Sequence, residues 1–409
     1  MNILLITRYF YPEIGTAASL FYDLAKSLSG RGHNVGVITG FPWYNLETIS
    51  PRYSRGFFMK EKLDGFDILR IKYPLMGPRL AKLFIGHIIA PLTSFISGLI
   101  QSKPHIVFIY SPPLFMGIAG WLLHIFRGVP FVFGVQDLHP QCYIDQDRLK
   151  NPLVIKILES IEKFCYRKSA LITVHSEGNR EYIVKKKGIE ESKVKVLVNW
   201  IDTDEIKPFP RENSFSSDHE LNDRFVVGYA GTLGLSQGLL SVIEAADILK
   251  EHRDIEFFIV GDGVEKENLI EKAKSAKLSN IKFLRMQPKS DYPLILASSD
   301  VSLVTLNRKV KTPVVPSKIF SIMAAGRPVL ASVPLDGDVP KIIDDAKCGI
   351  CVEPENPREM AEKILYLSKN RDICRQFGEN GRDYVVKNFS IDRAVENVEK
   401  IFQEAIDRN

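Results

Sequence analysis

A serine and a lysine open the helical pattern that begins at Pro316-Ser317-Lys318-Ile319-Phe320. The first turn of a helix ordinarily attracts acids, because its free N–H groups carry partial positive charge. A lysine there is explained if it neutralises a bound anion; the competing reading is a solvated surface lysine. Gly231-Thr232-Leu233-Gly234 follows an apolar run, and Gly238 precedes the next helical stretch. Such glycines allow close backbone approach, and a helix N-terminus offers N–H groups to a phosphate. Gly261-Asp262-Gly263 is a second loop of this kind, without the third glycine of a dinucleotide fingerprint. A nicotinamide cofactor is therefore disfavoured, and the absence of G-x-x-x-x-G-K-[ST] argues against a P-loop NTPase. Asp137 and His139 come just past the apolar run Pro130–Val135. Either could position an acceptor hydroxyl or act as a base. An Asx-type turn ahead of Pro140 accounts for the same spacing.

Three Asp-x-Asp pairs (Asp145/Asp147, Asp202/Asp204, Asp336/Asp338) have the spacing of metal-dependent transferases. None follows a strand as a metal-nucleotide site would need, so no metal is expected. Cys348 and Cys351 form a C-x-x-C, but no second pair completes a zinc site, and five cysteines make no disulfide framework.

The elements that must hold these residues alternate short apolar runs with helical patterns, the signature of βαβ units and parallel sheets. Strands are expected at Ile3–Thr7, Val35–Thr39, Ile68–Ile71, Ile106–Tyr110, Phe131–Val135, Leu171–Val174 and Val194–Val198. The alternation restarts at Phe225–Ala230 and continues through Phe257–Val260, Ile281–Leu284, Val301–Thr305 and Val329–Ala331, with Gly349–Val352 a further short strand. Residues 1–200 and 224–390 are thus expected as two Rossmann-like α/β domains. Residues 201–223, with Pro208, Pro210 and no periodicity, read as a linker, and 391–409 as an amphipathic helix. Two facing sheets would gather their strand C-termini around a cleft, where α/β ligands bind.

A chain of 409 residues exceeds one ordinary core, and 45% hydrophobic with 25% charged residues excludes a disordered chain. The net charge of +5 conceals an asymmetry. Residues 1–200 hold 25 Lys/Arg against 15 Asp/Glu, or +10; residues 201–409 hold 29 against 34, or −5. A basic front half suggests an anionic partner. Leu83–Ser102 runs twenty residues without a charge, but His87, Pro91, Thr93, Ser94 and Ser97 favour a helix partly in the core and partly at an interface over one that spans. The neighbouring Phe41, Trp43, Tyr44, Arg52, Tyr53, Arg55, Phe57, Phe58, Lys60 and Lys62 suit an anionic membrane surface. No nucleic-acid module is present. The N-terminus shows no signal peptide, so a cytoplasmic chain held peripherally at the membrane is expected.

Seven motifs stand in order along the chain: Tyr11-Pro12-Glu13-Ile14-Gly15, Ser111-Pro112-Pro113-Leu114, Val135-Gln136-Asp137-Leu138-His139-Pro140, Asn199-Trp200-Ile201-Asp202, Gly231-Thr232-Leu233-Gly234, Gly261-Asp262-Gly263 and Pro316-Ser317-Lys318 continuing to Ala325-Gly326-Arg327-Pro328. Together they resemble glycosyltransferase family 4, closest to bacterial amino-sugar transferases of O-antigen and colanic-acid assembly. The resemblance implies a GT-B fold of two Rossmann-like domains, the last helix crossing back onto the first. It implies a retaining, metal-independent transfer with no cofactor beyond the UDP-sugar substrate, onto a lipid-linked saccharide. Donor binding would fall to Gly15, Thr16, Gly231, Thr232, Gly234, Gln237, Gly261, Arg285, Ser317, Lys318 and Ser321. Glu13, Trp43, Tyr44 and Asp137 would bind the acceptor, and Asp137, His139 and Lys318 would serve catalysis. The chain departs from the family pattern at Thr232 and Gln237, where basic residues are common. It also carries Pro313 and Ser321 in place of paired glutamates. A sugar-nucleotide epimerase or hydrolase, or a non-catalytic partner subunit, remains open on the same fold.

Overall fold

The computed structural model describes residues 1–13, 15–42, 50–53, 56–72 and 79–409, without the side chains of 79–88 and 289. Trp43, Tyr44 and Arg55 lie outside the described residues. The chain divides into two compact units, Met1–Asn199 with Ile391–Asn409, and Trp200–Ser390.

The first unit is built on strands β1 (Asn2–Ile6), β2 (Asn34–Gly40), β3 (Phe58–Leu63), β4 (Phe66–Ile71), β5 (Ile106–Ser111), β6 (Phe131–Val135), β7 (Leu171–Val174) and β8 (Val194–Val196). Their order across the sheet is β3-β4-β2-β1-β5-β6-β7-β8, with every pair parallel except β3–β4. The central runs Ile-Val-Phe-Ile-Tyr-Ser and Phe-Val-Phe-Gly-Val are buried throughout, as a parallel sheet covered on both faces requires. The helix Ile391–Asp407 buries Ala394, Val395, Val398, Ile401, Phe402 and Ala405 on one stripe. That stripe packs on this unit: the Phe402 ring meets Phe108 at 5.5 Å, and Glu399 pairs with Arg31 at 3.2 Å and His33 at 2.8 Å.

The second unit carries β9 (Phe225–Ala230), β10 (Ile255–Val260), β11 (Ile281–Leu284), β12 (Val301–Thr305), β13 (Val329–Ser332) and β14 (Gly349–Val352). They form a wholly parallel sheet in the order β11-β10-β9-β12-β13-β14.

Two expectations change. The basic-aromatic stretch around Phe58 is a strand: Phe58–Leu63 runs antiparallel to β4 at the sheet edge, joined through Asp64 and Gly65 at φ of 46° and 88°. An Asp-Gly pair with positive φ is the turn that tightly closes a hairpin. Residues 201–223 are no free linker. They belong to the second unit, where Asn213 caps the short helix Ser214–Asp218 and Phe215 and Leu221 pack against Val226, Phe258 and Val260. Arg211 adds an ion pair to Asp300 at 3.2 Å, and Asn213 donates to Ser298 Oγ at 3.0 Å.

Candidate functional site

In an open α/β sheet, ligands bind outside the strand carboxyl ends where the strand order reverses. The second unit reverses between β9 and β12, neighbours in space separated by some seventy residues of chain. The loop after β9 is Gly231–Gly234, and Asn307, just past β12, ties the two ends together. Its backbone N–H donates to the Ser236 carbonyl at 2.9 Å, and its amide donates to Leu235 O. Behind the first glycine loop lies the second. Gly231 N–H donates to Val260 O, and Leu233 N–H to Asp262 O. The two backbones touch so closely that a Cβ on Gly261 would stand 1.9 Å from the Gly231 carbonyl oxygen. Small residues here let the two loops stack in direct backbone contact.

Lys318 reaches this crevice from the first position of the helix Lys318–Ala324. Its ammonium donates to Gln237 Oε1 at 3.3 Å and lies 3.7 Å from the centroid of the Tyr229 ring. Tyr229 itself is buried, its hydroxyl 2.8 Å from the Thr232 carbonyl and 3.2 Å from Gln237 Oε1. Gly231 leaves room for the lysine, whose Nζ would be 3.1 Å from a Cβ at that position. Although part of the lysine surface stays open, loss of water around the ammonium pushes it down to about 7, and no charge partner among the described residues counters that. A cation shielded by an aromatic face and a neutral amide, without a carboxylate, is poised for an anion.

The first unit reverses between β1 and β5. The loop after β1 folds on itself, Glu13 being buried with its carboxylate accepting the Phe10 N–H at 3.2 Å. Gly15 caps the helix Thr16–Gly30, and Thr16 is exposed in its first turn. After β6, Gln136 N–H donates to Ser111 O, joining the two neighbouring loops. Asp137 is half exposed (51%) and His139 buried, with Oδ2 and Nε2 4.0 Å apart. Burial lowers the imidazole's affinity for a proton, and the Asp137 charge opposes that in part. Burial likewise raises the Tyr110 phenol behind them, with Asp137 adding to the effect.

Arg70 escapes a reading based on loops alone. It is a fully buried cation on β4, donating to Gly40 O at 3.4 Å and Tyr11 O at 2.5 Å, and pairing with Glu61. It thereby ties the loops after β1 and β2 to the hairpin. The signal available in the sequence was a charge inside the apolar run Phe66–Ile71.

Comparison with known proteins places this geometry in context. Residues 17–205 match the model Glycosyltransferase Family 4, and residues 210–384 match Glycosyl transferases group 1. The chain is a glycosyltransferase, its first half of the family 4 type. It is 24% identical over 94% of its length, and 97% of the relative's, to the putative colanic acid biosynthesis glycosyl transferase WcaI of Escherichia coli strain K12. Among solved structures it is similar to sucrose-phosphate synthase from Thermosynechococcus elongatus, with a TM-score of 0.78 at 14% identity and full coverage of both chains. Anabaena HepE in complex with UDP superposes with a TM-score of 0.72 at 17% identity, covering 98% of this chain and all of that one. The fold is GT-B.

Not every expected donor residue of the glycosyltransferase converges. Gly231, Gln237 and Lys318 meet directly, and Thr232, Gly234 and Gly261 build the same pair of loops. Ser317 is the residue preceding Lys318 at the helix start. Ser321 is buried and hydrogen-bonded to the Tyr292 phenol, a partner that sequence reasoning missed. Arg285 follows the edge strand β11, is exposed, and is separated from β9 by β10. The acidic pairs have local uses. Asp202 Oδ1 accepts the Asp204 and Glu205 N–H groups at 2.9 Å, and Asp145 Oδ1 accepts from Gln141. Among the described residues, no three His, Cys, Asp or Glu side chains gather as a metal site. Cys351 pairs in β14 opposite Ala331, and burial pushes both its thiol and that of Cys348 up to about 12.

Proposed function

We propose that this glycosyltransferase moves a sugar from a uridine diphosphate donor to a lipid-diphosphate-linked acceptor during assembly of a bacterial surface polysaccharide, with retention at the anomeric carbon and without a metal. An N-acetylated deoxyhexosamine is the sugar most in keeping with the motif resemblance. The carrying observation is the Lys318 ammonium, held over Tyr229 beside the Gly231–Gly234 loop, with no carboxylate partner among the described residues. As the bond from the anomeric carbon to the diphosphate oxygen breaks, negative charge accumulates on the leaving group, and a preorganised cation and N–H groups stabilise it. The name of WcaI supports the polysaccharide assignment, and the HepE complex with UDP supports the uridine nucleotide. Asp137 would hold the attacking hydroxyl by accepting its hydrogen bond, and the first unit would engage the acceptor.

A screen of nucleotides by thermal shift tests the donor side. UDP should raise Tm in a concentration-dependent way, by about 2.7 kcal/mol of added stability at a hundredfold excess over Kd. GDP and ADP at equal concentration should not. Asp137→Asn should keep that shift and lose transfer by about 10²–10⁴-fold. Wild-type activity in this variant would remove Asp137 from the acceptor role. Consumption of donor without any acceptor would favour the epimerase or hydrolase reading.

Peripheral attachment to the cytoplasmic face of the membrane is the second part of the proposal. Among the described residues no helix is long and apolar enough to cross a membrane. The helices Arg79–Ile100 and Met116–Arg127 nevertheless contain no carboxylate, and their ends expose Leu92, Ile96, Ile100, Ile125 and Phe126. The Phe126 ring packs 5.4 Å from Phe95, so the two helix ends form one apolar surface, with Lys103 just beyond. Such a face with basic neighbours fits anionic lipid. Ile100 and Phe126 are 69% and 66% exposed. Ile100→Asp with Phe126→Asp should remove about 1.5–3 kcal/mol of apolar burial at each site. Sedimentation with phosphatidylglycerol vesicles should fall at least tenfold. Unchanged sedimentation would reject this surface.

A further inference from the structure

Behind Asp137 stands His139, and against it a cysteine to which the transfer reading gives no role. His139 is nine-tenths buried, and its two ring nitrogens meet different neighbours. Nδ1 lies 3.3 Å from Cys142 Sγ; Nε2 is buried, has no hydrogen-bond partner among the described residues, and lies 4.0 Å from Asp137 Oδ2. The Tyr143 ring covers the imidazole at a centroid distance of 4.9 Å. Cys142 sits on the short helix Gln141–Asp145, one turn after His139, where its backbone N–H donates to Leu138 O.

Burial favours the neutral imidazole, and of its two tautomers only one suits both neighbours. If the neutral imidazole carried its proton on Nδ1, the Nε2 lone pair would face the Asp137 carboxylate, two acceptors in a buried place. With the proton on Nε2, that N–H faces the carboxylate favourably, and Nδ1 becomes an acceptor that only the thiol can serve. We infer that Cys142 is a positioning residue: its S–H donates to His139 Nδ1, fixes the Nε2–H tautomer, and so aims the imidazole N–H that orients the Asp137 carboxylate toward the acceptor hydroxyl. The inference rests on Asp137 being the acceptor-side carboxylate. The thiol suits a donor rather than a nucleophile, since burial and the neighbouring Asp137 and Asp145 charges keep it protonated, pushed up to about 12.

The test uses the full chain labelled with ¹⁵N-histidine. Two-bond ¹H–¹⁵N spectra report the tautomer of each of the 8 histidines, and His139→Gln assigns the signal. At pH 7.5, His139 should show Nε2–H with a hydrogen-bonded Nδ1. Cys142→Ser, which keeps a donor, should preserve that pattern, whereas Cys142→Ala should return Nδ1 to the shift of a free acceptor. The Ala variant should also lose kcat by about tenfold to a hundredfold, with Ser restoring most of it. UDP-induced stabilisation, read from the other unit, should be the same in all three and shows that the chain remains folded. A protonated Nδ1 in the native protein, or an unchanged Nδ1 in Cys142→Ala, overturns the inference. Because the spectra need no turnover, a native Nε2–H pattern in a chain that transfers no sugar would instead count against the proposed function alone.

Discussion

Lys318→Ala is expected to lower sugar transfer by about 10²–10³-fold, the usual cost of removing one preorganised group that stabilises developing charge. The fold should survive, because the lysine makes one amide hydrogen bond and one aromatic contact and no salt bridge among the described residues. Lys318→Met separates charge from packing. It keeps an apolar stem over Tyr229, so it should lose activity as Lys318→Ala does while its Tm stays at or above the parent's. Full turnover in either variant would end the phosphate assignment.

The same residue sets a pH dependence with a definite sign. The ordinary lysine value is about 10.4, and here it is lowered to about 7. Between these limits the unfolded chain binds more protons than the folded one, so Lys318 makes the unliganded protein more stable as pH rises through that window. A diphosphate reverses the preference, since the anion favours the charged lysine. Affinity for UDP should therefore be greatest below about pH 7 and weaken above it, by up to about tenfold per pH unit, until the pKa of the liganded state is reached. Titration calorimetry in buffers of different ionisation heat should show proton uptake on binding at pH 8. Equal Kd at pH 6 and pH 8.5 would contradict the arrangement.

Gly261→Ala should be the most damaging small substitution in the second unit. Its Cβ would fall 1.9 Å from the Gly231 carbonyl oxygen, and its φ of 156° is one that side chains rarely adopt. Neither backbone can retreat, because Gly231 N–H is bonded to Val260 O in the same register. Steric overlap and strain together should cost about 3 kcal/mol, which for a unit of this size lowers Tm by about 10 °C. Gly234→Ala is the control. The nearest atom to its Cβ is Thr232 Cγ2 at 3.7 Å, an ordinary contact, so its Tm should shift little. Comparable Tm values for the two variants would mean that the loops are not packed against each other as described.

The positions of most strands could be read from the chain because a parallel strand covered on both faces must be a continuous apolar run, and such runs stand out between helical patterns. The exception is instructive. Phe58–Leu63 alternates exposed with half-buried residues at a sheet edge, so composition marked it as a surface patch while pairing with β4 made it a strand. The chemistry was legible where residue type opposed local preference. A lysine at a helix start and glycines after strands pointed to an anion, and a carboxylate with an imidazole past a buried strand pointed to an acceptor.

What the sequence by itself determined was the set of loops that could hold a site. Tertiary structure decided which of them meet and in what electrostatic state. Strand order brings the loops after β9 and β12 together across some seventy residues, a proximity that no local pattern encodes. The same order leaves Arg285 two strands from β9, although its type suited a phosphate as well as Lys318's does. Packing turned Ser321 toward Tyr292, buried Arg70 where it ties two loops to the hairpin, and placed Cys142 against His139. The reason is common to all of these. A charge or hydroxyl acquires its character from the groups and the water around it, and those neighbours are distant in sequence.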